Sequence, residues 1–510
     1  KRVTGISEQE LLSHLSVLKD TELLYERGIY PQSSYIFKHA LTREVVYDSI
    51  LTAKKKKLHV KIGDAIEEIH KDDLHDHYEA LAGHYITGES WEKGAEYSKL
   101  AERKAEKAAL LLEAVAHSQK RVACLEKLPR TEDVEKKIIG ARTTLGLYCM
   151  QMNYHVDAKE AIDPIVDLAL ERDYKRRVSQ IYTILGCYDW AVEEDSPKAF
   201  KYLEEALRIA EELDDILSLF MANWWLGGAL FVASEFEKAL YHFEKALEIN
   251  VAANSLWGIA IVKSQIALQI HCFQGNIDLA YQMSNEALRI AEASGDTQSK
   301  AYAYTALGLS CYYKRSFDEA EGHLLKAADL LERINDFAFS GMAHFLLGET
   351  YFGRGEYRRS QEHHERAISV NERGRISPST TNLYKIALAR AKVMSGAKDI
   401  NLNEIFGYYE NNNYKIQEGQ MLRHIGEILL NIGDEHMNEA EDRIKRAIEA
   451  NKSNGTMWEL GMAHASYAEL LRRKGDLSSA KEHLNTAIGI FKECGADGWV
   501  KMYEEELAGM

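Results

Sequence analysis

The chain of 510 residues holds nineteen histidines and six cysteines, the side chains with the widest range of chemistry near neutral pH. Their tightest group is His75, His77 and His84, an HxH pair with a third imidazole seven residues on, a spacing that could turn two or three nitrogens toward zinc. No cysteine and no further ligand pattern accompanies them, so the spacing reads instead as solvated or helix-packing imidazoles. His363 and His364 fall together on one predicted helix, where His364 takes a packing position. A GxxxxGK[ST] run, whose backbone amides would cradle phosphates, does not occur. No nucleophile-elbow glycine pattern backs a Ser-His-Asp arrangement. The expectation is a chain with no catalytic, cofactor-binding or metal-binding residues, whose function lies in a surface.

The elements behind that surface repeat. A small residue recurs at Ala116, Ala158, Ala199, Ala239, Ala280, Ala320, Ser360, Ala440 and Ala480, with steps of 42, 41, 40, 41, 40, 40, 80 and 40. A period near 40 sustained over most of a chain means one supersecondary unit stacked many times, because a single unit cannot bury its apolar face alone. Residues 226–249 read LGGALFVASEFEKALYHFEKALEI, with Leu226 and Gly227 ahead of Ala239, Phe243 and Ala246. Leu307, Gly308, Ala320, Leu324 and Ala327 repeat the pattern, as do Leu347, Gly348, Ser360, His364 and Ala367. Positions i, i+4 and i+7 share one helix face, and small residues there let two backbones approach. The series resembles the tetratricopeptide (TPR) signature of paired helices A and B. It departs in length, since the TPR unit has 34 residues, and turn pairs such as Asp214-Asp215, Gly295-Asp296, Asn335-Asp336 and Gly475-Asp476 replace the closing proline.

The TPR resemblance implies a superhelix whose A helices line a concave groove. Its groove positions transfer to Met150, Trp190, Phe231, Tyr312 and Phe352 in one series, and to Trp224 and Phe345 in a second. These seven residues form the candidate partner-binding stripe, able to receive an amphipathic helix or an apolar ligand. The alternative is that the rings only seal neighbouring helices. The asparagine that clamps peptide carboxylates in some TPR domains is replaced by Gly228, Leu309 and Glu349.

Residues 1–73 lack the period. Residues 21–41 carry Gly28, Pro31, Ser33 and Ser34 between two short apolar runs, which predicts a β-hairpin between helices and a winged-helix-like module. Residues 37–51, FKHALTREVVYDSIL, then four lysines at 54–57 and LHVKIGDAIEEI, resemble the end of the ATPase module in bacterial multidomain adenylate/guanylate cyclases. Residues 108–129, AALLLEAVAHSQKRVACLEKLP, resemble the bridge from that module into a TPR array. The resemblance implies an upstream cyclase domain and an AAA/STAND-type ATPase, with no catalytic residue carried onto this chain. The first residue is lysine, in keeping with a fragment of a longer protein.

The resulting segmentation is a winged-helix-like module at 1–73, bridging helices at 74–130, a TPR-like array at 131–394, a degenerate repeat or joint at 395–420, and further repeats at 421–510. The fold class is all-α, a helical-hairpin solenoid with a small α/β module. Residues 1–70 hold eleven Lys and Arg against ten Asp and Glu, while the remainder carries 52 against 69. An acidic array repels phosphate, so nucleic acid is not an expected partner, although the lysines at 54–57 could form a basic wing. The apolar run 217–233 is too short to span a membrane and reads as a buried helix A. Reduced cysteines without a CxxC pair suit a cytoplasmic protein. The functional expectation is a non-catalytic sensor or scaffold arm that binds a protein or small-molecule effector and contacts the upstream ATPase. The alternative is the effector arm of an ATP-dependent transcription regulator.

Overall fold

A computed structural model describes residues 2–28, 33–108 and 110–510. Pro31, part of the expected hairpin turn, and Ala109, in the expected bridge, lie outside the described residues. The chain divides into two compact units, Lys1–Tyr148 and Cys149–Met510. The limits drawn from the sequence at 73 and 130 both fall inside the first unit.

In the first unit α1 (Glu8–Asp20) is capped by Ser7, whose Oγ accepts the Glu10 amide at 3.2 Å. An antiparallel pair follows, β1 (Leu24–Arg27) against β2 (Ser34–Phe37), in register Leu24 to Phe37 and Arg27 to Ser34. Then come α2 (Ala40–Ser49), α3 (Thr52–Ile69), a 3-10 turn (Leu74–His77), α4 (Tyr78–Thr87), α5 (Trp91–Lys107), α6 (Leu111–Leu125) and α7 (Glu132–Gln151), in which the unit boundary falls. The lysines at 54–57 sit in the first turns of α3 and form no wing; Lys55 pairs with Asp48 and Lys56 with Glu89. A small core of Leu81, Ala82, Tyr85 and Tyr97 holds α3 to α5. By contrast α1 and α2 bury no side chain, and Leu41, Val45 and Leu51 are 71%, 62% and 78% exposed.

The second unit stacks helix pairs. After α8 (His155–Ile162) and α9 (Val166–Glu171) the A and B partners are α10 (Lys175–Ala191) with α11 (Ser196–Leu213), and α12 (Ile216–Val232) with α13 (Phe236–Ala252). Next are α14 (Leu256–Gln265, prolonged by a π-helical turn Ile266–His271) with α15 (Ile277–Ser294), α16 (Thr297–Tyr313) with α17 (Phe317–Arg333), and α18 (Phe337–Gly353) with α19 (Tyr357–Gly374). They continue as α20 (Pro378–Met394) with the short α21 (Leu402–Glu410), α22 (Lys415–Ile432) with α23 (Met437–Asn454), α24 (Met457–Arg473) with α25 (Leu477–Cys494), and a last α26 (Asp497–Gly509). This is a TPR-like helical-hairpin repeat.

The packing explains the signature. Eight of the nine small positions, Ala158 through Ala480, have no exposed surface. Ala116 is exposed, and Ala114 takes the buried place, so the sequence register of α6 is two residues out. The glycines of the Leu-Gly pairs, Gly227, Gly308 and Gly348, each receive the large residue of the following helix B. A Cβ on Gly227 would stand 2.9 Å from the Phe243 ring, and one on Gly348 would stand 2.5 Å from the His364 ring. The turn pairs close the hairpins as well: Asp214 and Asn335 adopt left-handed φ, and Asp215 and Asp336 cap the next helix by accepting from Ser218 and Phe339 amides. Around the expected joint at 395–420, helix B shrinks to the nine residues of α21, and α22 packs directly on α20.

Candidate functional site

The A helices of the second unit face inward, and two kinds of side chain fill the space between them. From α10 to α14 the fill is aromatic. Trp190 lies 5.8 Å from Trp225 between ring centroids and 6.4 Å from His155, and Phe231 meets Phe273 edge-on at 5.0 Å. Trp224 turns instead toward helix B and the Phe243 ring at 5.8 Å. Further along, Tyr312 lies 5.4 Å from Trp458, and Phe345 stacks on Tyr384 at 4.7 Å. Met150, Phe231, Tyr312 and Phe345 are buried, whereas Trp190, Trp224 and Phe352 are half-buried. The seven residues of the stripe thus do not form one open row; Trp190, Phe231, Tyr312 and Phe345 meet rings of adjacent or distant repeats.

From α18 to α24 the fill is ionic, and only Glu349 of this group was singled out from the sequence. Arg390 donates from Nη2 to both carboxylate oxygens of Glu349 at 2.9 and 2.8 Å, and its Nη1 reaches Glu427 at 3.3 Å. Arg423 donates to Glu427 at 2.8 Å and to Glu459 at 2.8 and 3.0 Å. The Arg390 guanidinium also lies over the Phe352 ring at 3.7 Å. His364 and His424 flank Glu349 at 3.3 and 3.8 Å. Burial pushes the Glu349 carboxyl up, but Arg390 and the His364 hydrogen bond outweigh it and hold the group well below the ordinary glutamate value. Burial raises Glu459 in spite of Arg423, and burial lowers both imidazoles. Three carboxyls meet two guanidiniums, and Glu459 is the surplus acid. The signal was present as charges within otherwise apolar A helices, at 349, 390 and 427. It is a weak one because, apart from Arg423 and Glu427 on α22, the partners come from different helices.

The inner face is closed by contacts between successive coils. Asn153, in the turn before α8, donates to Asp336 at 3.1 Å and to the Tyr302 hydroxyl at 3.3 Å, and Tyr302 donates to Asp336 at 2.9 Å. Glu194, in the turn after α10, accepts from the Ser379 amide at 2.9 Å and its hydroxyl at 2.5 Å. The Met457 amide donates to the Phe273 carbonyl at 3.0 Å. The first two span 183 and 185 residues, so each turn between A and B docks four to five repeats further on. Burial raises the carboxyls of both Asp336 and Glu194, against the hydrogen bonds that they accept.

The other candidates separate. His75 pairs with Asp73 and Asp76 at the surface, His77 lies tilted against His70, and His84 hydrogen-bonds His59, so the three histidines do not converge. All six cysteines are buried and unpaired, and burial raises each thiol above its ordinary value. A cleft of ≈ 300 Å³ between α11, α12 and α13 is lined by Leu207, Leu226 and Leu230 with Glu204, Arg208 and Glu235 at its rim. Among the described residues no helix is long and apolar enough to cross a membrane.

No protein-family model and no curated protein matches the chain. Among solved structures, it is similar to a Rap protein complexed with competence and sporulation factor, at 16% identity and TM-score 0.47 over 79% of this chain and 99% of that one. It is similar to the Rap conjugation gene regulator of plasmid pLS20 in complex with the Phr* peptide, at 14% identity and TM-score 0.49 over 72% and 94%. A third similar structure is a Signal Transduction ATPase with Numerous Domains (STAND) protein with a tetratricopeptide repeat sensor from Pyrococcus horikoshii, at 18% identity and TM-score 0.44. There the match covers 76% of this chain and 56% of that one.

Proposed function

We propose that the second unit is a non-catalytic sensor or scaffold arm that binds a protein or small-molecule effector on its inner face. In this reading it regulates an attached signalling ATPase and nucleotide cyclase. The observation that supports the binding site most is the aromatic stretch from Trp190 to Phe273, where ring meets ring without a hydrogen-bond network to fix the partners. An apolar effector can replace one ring face with its own at little loss, because stacking is tolerant of the partner. Insertion there separates the coils and opens the clasps at Asn153–Asp336 and Glu194–Ser379. A change of coil pitch is then the signal passed on. The exposed apolar side chains of α2, with Leu51 beside it, give the first unit a surface to set against the ATPase.

Thermal-shift screening of the chain against metabolites and peptides identifies an effector, and titration calorimetry measures it. Trp190→Ala and Phe273→Ala, at half-buried rings of that stretch, are expected to weaken binding at least tenfold while the far-ultraviolet dichroism stays that of the wild type. Undiminished affinity in both variants would place the effector elsewhere.

A further inference from the structure

One position of the repeat carries a histidine again and again. Three residues after the small residue of helix B stand His242, His323, His363 and His483. In two of these hairpins the residue facing it, nineteen earlier on helix A, is also histidine. His344 Nδ1 lies 3.1 Å from His363 Nδ1, and His464 Nδ1 lies 2.9 Å from His483 Nδ1. In the other two the facing groups are the Asn223 carboxamide, at 2.8 Å, and the Tyr304 ring. The first unit holds one more such pair, with 2.9 Å between the Nδ1 atoms of His59 and His84.

Two imidazole nitrogens at that separation share a single proton, one as N–H and one as lone pair, and both in-plane orbitals aim at the gap between the helices. For His344 the tautomer is fixed further. Its Nε2 lies 3.0 Å from Glu332 Oε1, so the N–H is on Nε2 and the lone pair on Nδ1. A carboxylate behind an imidazole in this way is the arrangement that orients metal-bound histidine and raises its basicity. Arg366 shares that carboxylate, at 2.6 Å. His59 is held similarly, with the Tyr47 hydroxyl 2.9 Å from its Nε2. Nitrogens each about 2.0–2.1 Å from one divalent ion stand about 3 Å apart, so an ion can take the place of the shared proton with small shifts. His363, His464 and His483 are half-buried, so each pair has an opening to solvent.

We propose that the facing pairs His344–His363, His464–His483 and His59–His84 are bidentate imidazole sites for a divalent transition metal of the zinc, nickel or copper group. The remaining coordination positions are open to water or to a donor from a bound partner.

Zinc(II) titration of the full chain, in competition with a chromophoric chelator, tests it. Three equivalents are expected, and His84→Gln, His363→Gln and His483→Gln each remove one. His323→Gln, at the same repeat position without a histidine partner, leaves the count unchanged. His75→Asn removes any background from the exposed Asp73, His75 and Asp76 cluster, whose ligand atoms also lie within 4.8 Å of one another. Zinc raises the melting temperature of the wild type and not of the triple variant. A stoichiometry that the triple variant keeps, or no binding at tens of micromolar zinc, overturns the assignment. X-ray absorption of the zinc-loaded wild type provides a reading that needs no variant: two imidazole scatterers per zinc support it, and a shell of oxygen alone refutes it.

Discussion

The inner faces of α10 to α14 and of α18 to α24 occupy the same place in the repeat and fill it by opposite means. Trp190, Trp225, Phe231 and Phe273 meet by ring contacts, whereas Glu349, Arg390, Arg423, Glu427 and Glu459 meet through directed hydrogen bonds between charges. Ring contacts tolerate sliding and exchange of partners. A buried ionic set has few geometries in which every charge is paired, so it holds its helices in one register at the expense of desolvation. Within one array, therefore, the earlier repeats can adapt and the later ones are pinned. An effector that must displace side chains meets the lower barrier among the rings.

Breaking each half sharpens this contrast. The largest effect is expected for Arg423→Leu, which leaves Glu427 and Glu459 buried without their shared guanidinium. Chemical denaturation should show a loss of about 3–5 kcal/mol, much of it restored by a second change, Glu459→Leu. A loss under 1 kcal/mol would mean that the ionic set is not pinned. Phe231→Ala on the aromatic side should lower stability by about 3 kcal/mol through lost burial and a cavity. Unlike the ionic case, Phe231→Leu should recover most of that loss, and failure to do so would deny the rings their tolerance.

The smallest effect is a change of slope with pH. The carboxyls of Asp336 and Glu194 are raised in the folded chain, so their contribution is complete below the ordinary carboxylate range and is lost as pH rises through the raised values. Glu349 is lowered, so its contribution is present above the ordinary glutamate value and disappears only as pH falls through its own lower one. Denaturation midpoints followed upward from pH 4 should therefore decline in part on account of the clasps. Asp336→Asn should flatten the decline, and an unaltered slope would show that the Asp336 clasp does not hold its proton.

Much of the hairpin was legible in the chain. Leu226, Gly227, Ala239 and Phe243 describe a local contact between helices sixteen residues apart, and such contacts leave a period. Asp214-Asp215 and Asn335-Asp336 likewise act on their immediate neighbours. The register failed at Ala116, where the repeats begin and the pattern has least support from neighbours. What faces the interior was far less legible. The stripe from Met150 to Phe352 assumes an open groove, but where an A helix points depends on the pitch of the whole coil. That pitch is held by pairs such as Asn153 with Asp336, 183 residues apart and of types common on any surface. The ionic set escaped for a related reason: Arg390 and Glu427 look solvent-facing until four helices are brought together.

The spacing of these clasps bears on how the unit folds. In an extended solenoid each repeat touches only its neighbours, so folding can start anywhere, spread by increments and tolerate trimming at an end. Here a turn before α8 needs the cap of α18, and the turn after α14 needs the start of α24. Such closure raises the mean sequence separation of contacts, which slows folding and joins repeats that would otherwise melt one by one into a single transition. Removing α24 to α26 would accordingly unsettle the third hairpin of the array as well as the last, and the chain cannot be shortened by whole repeats without penalty.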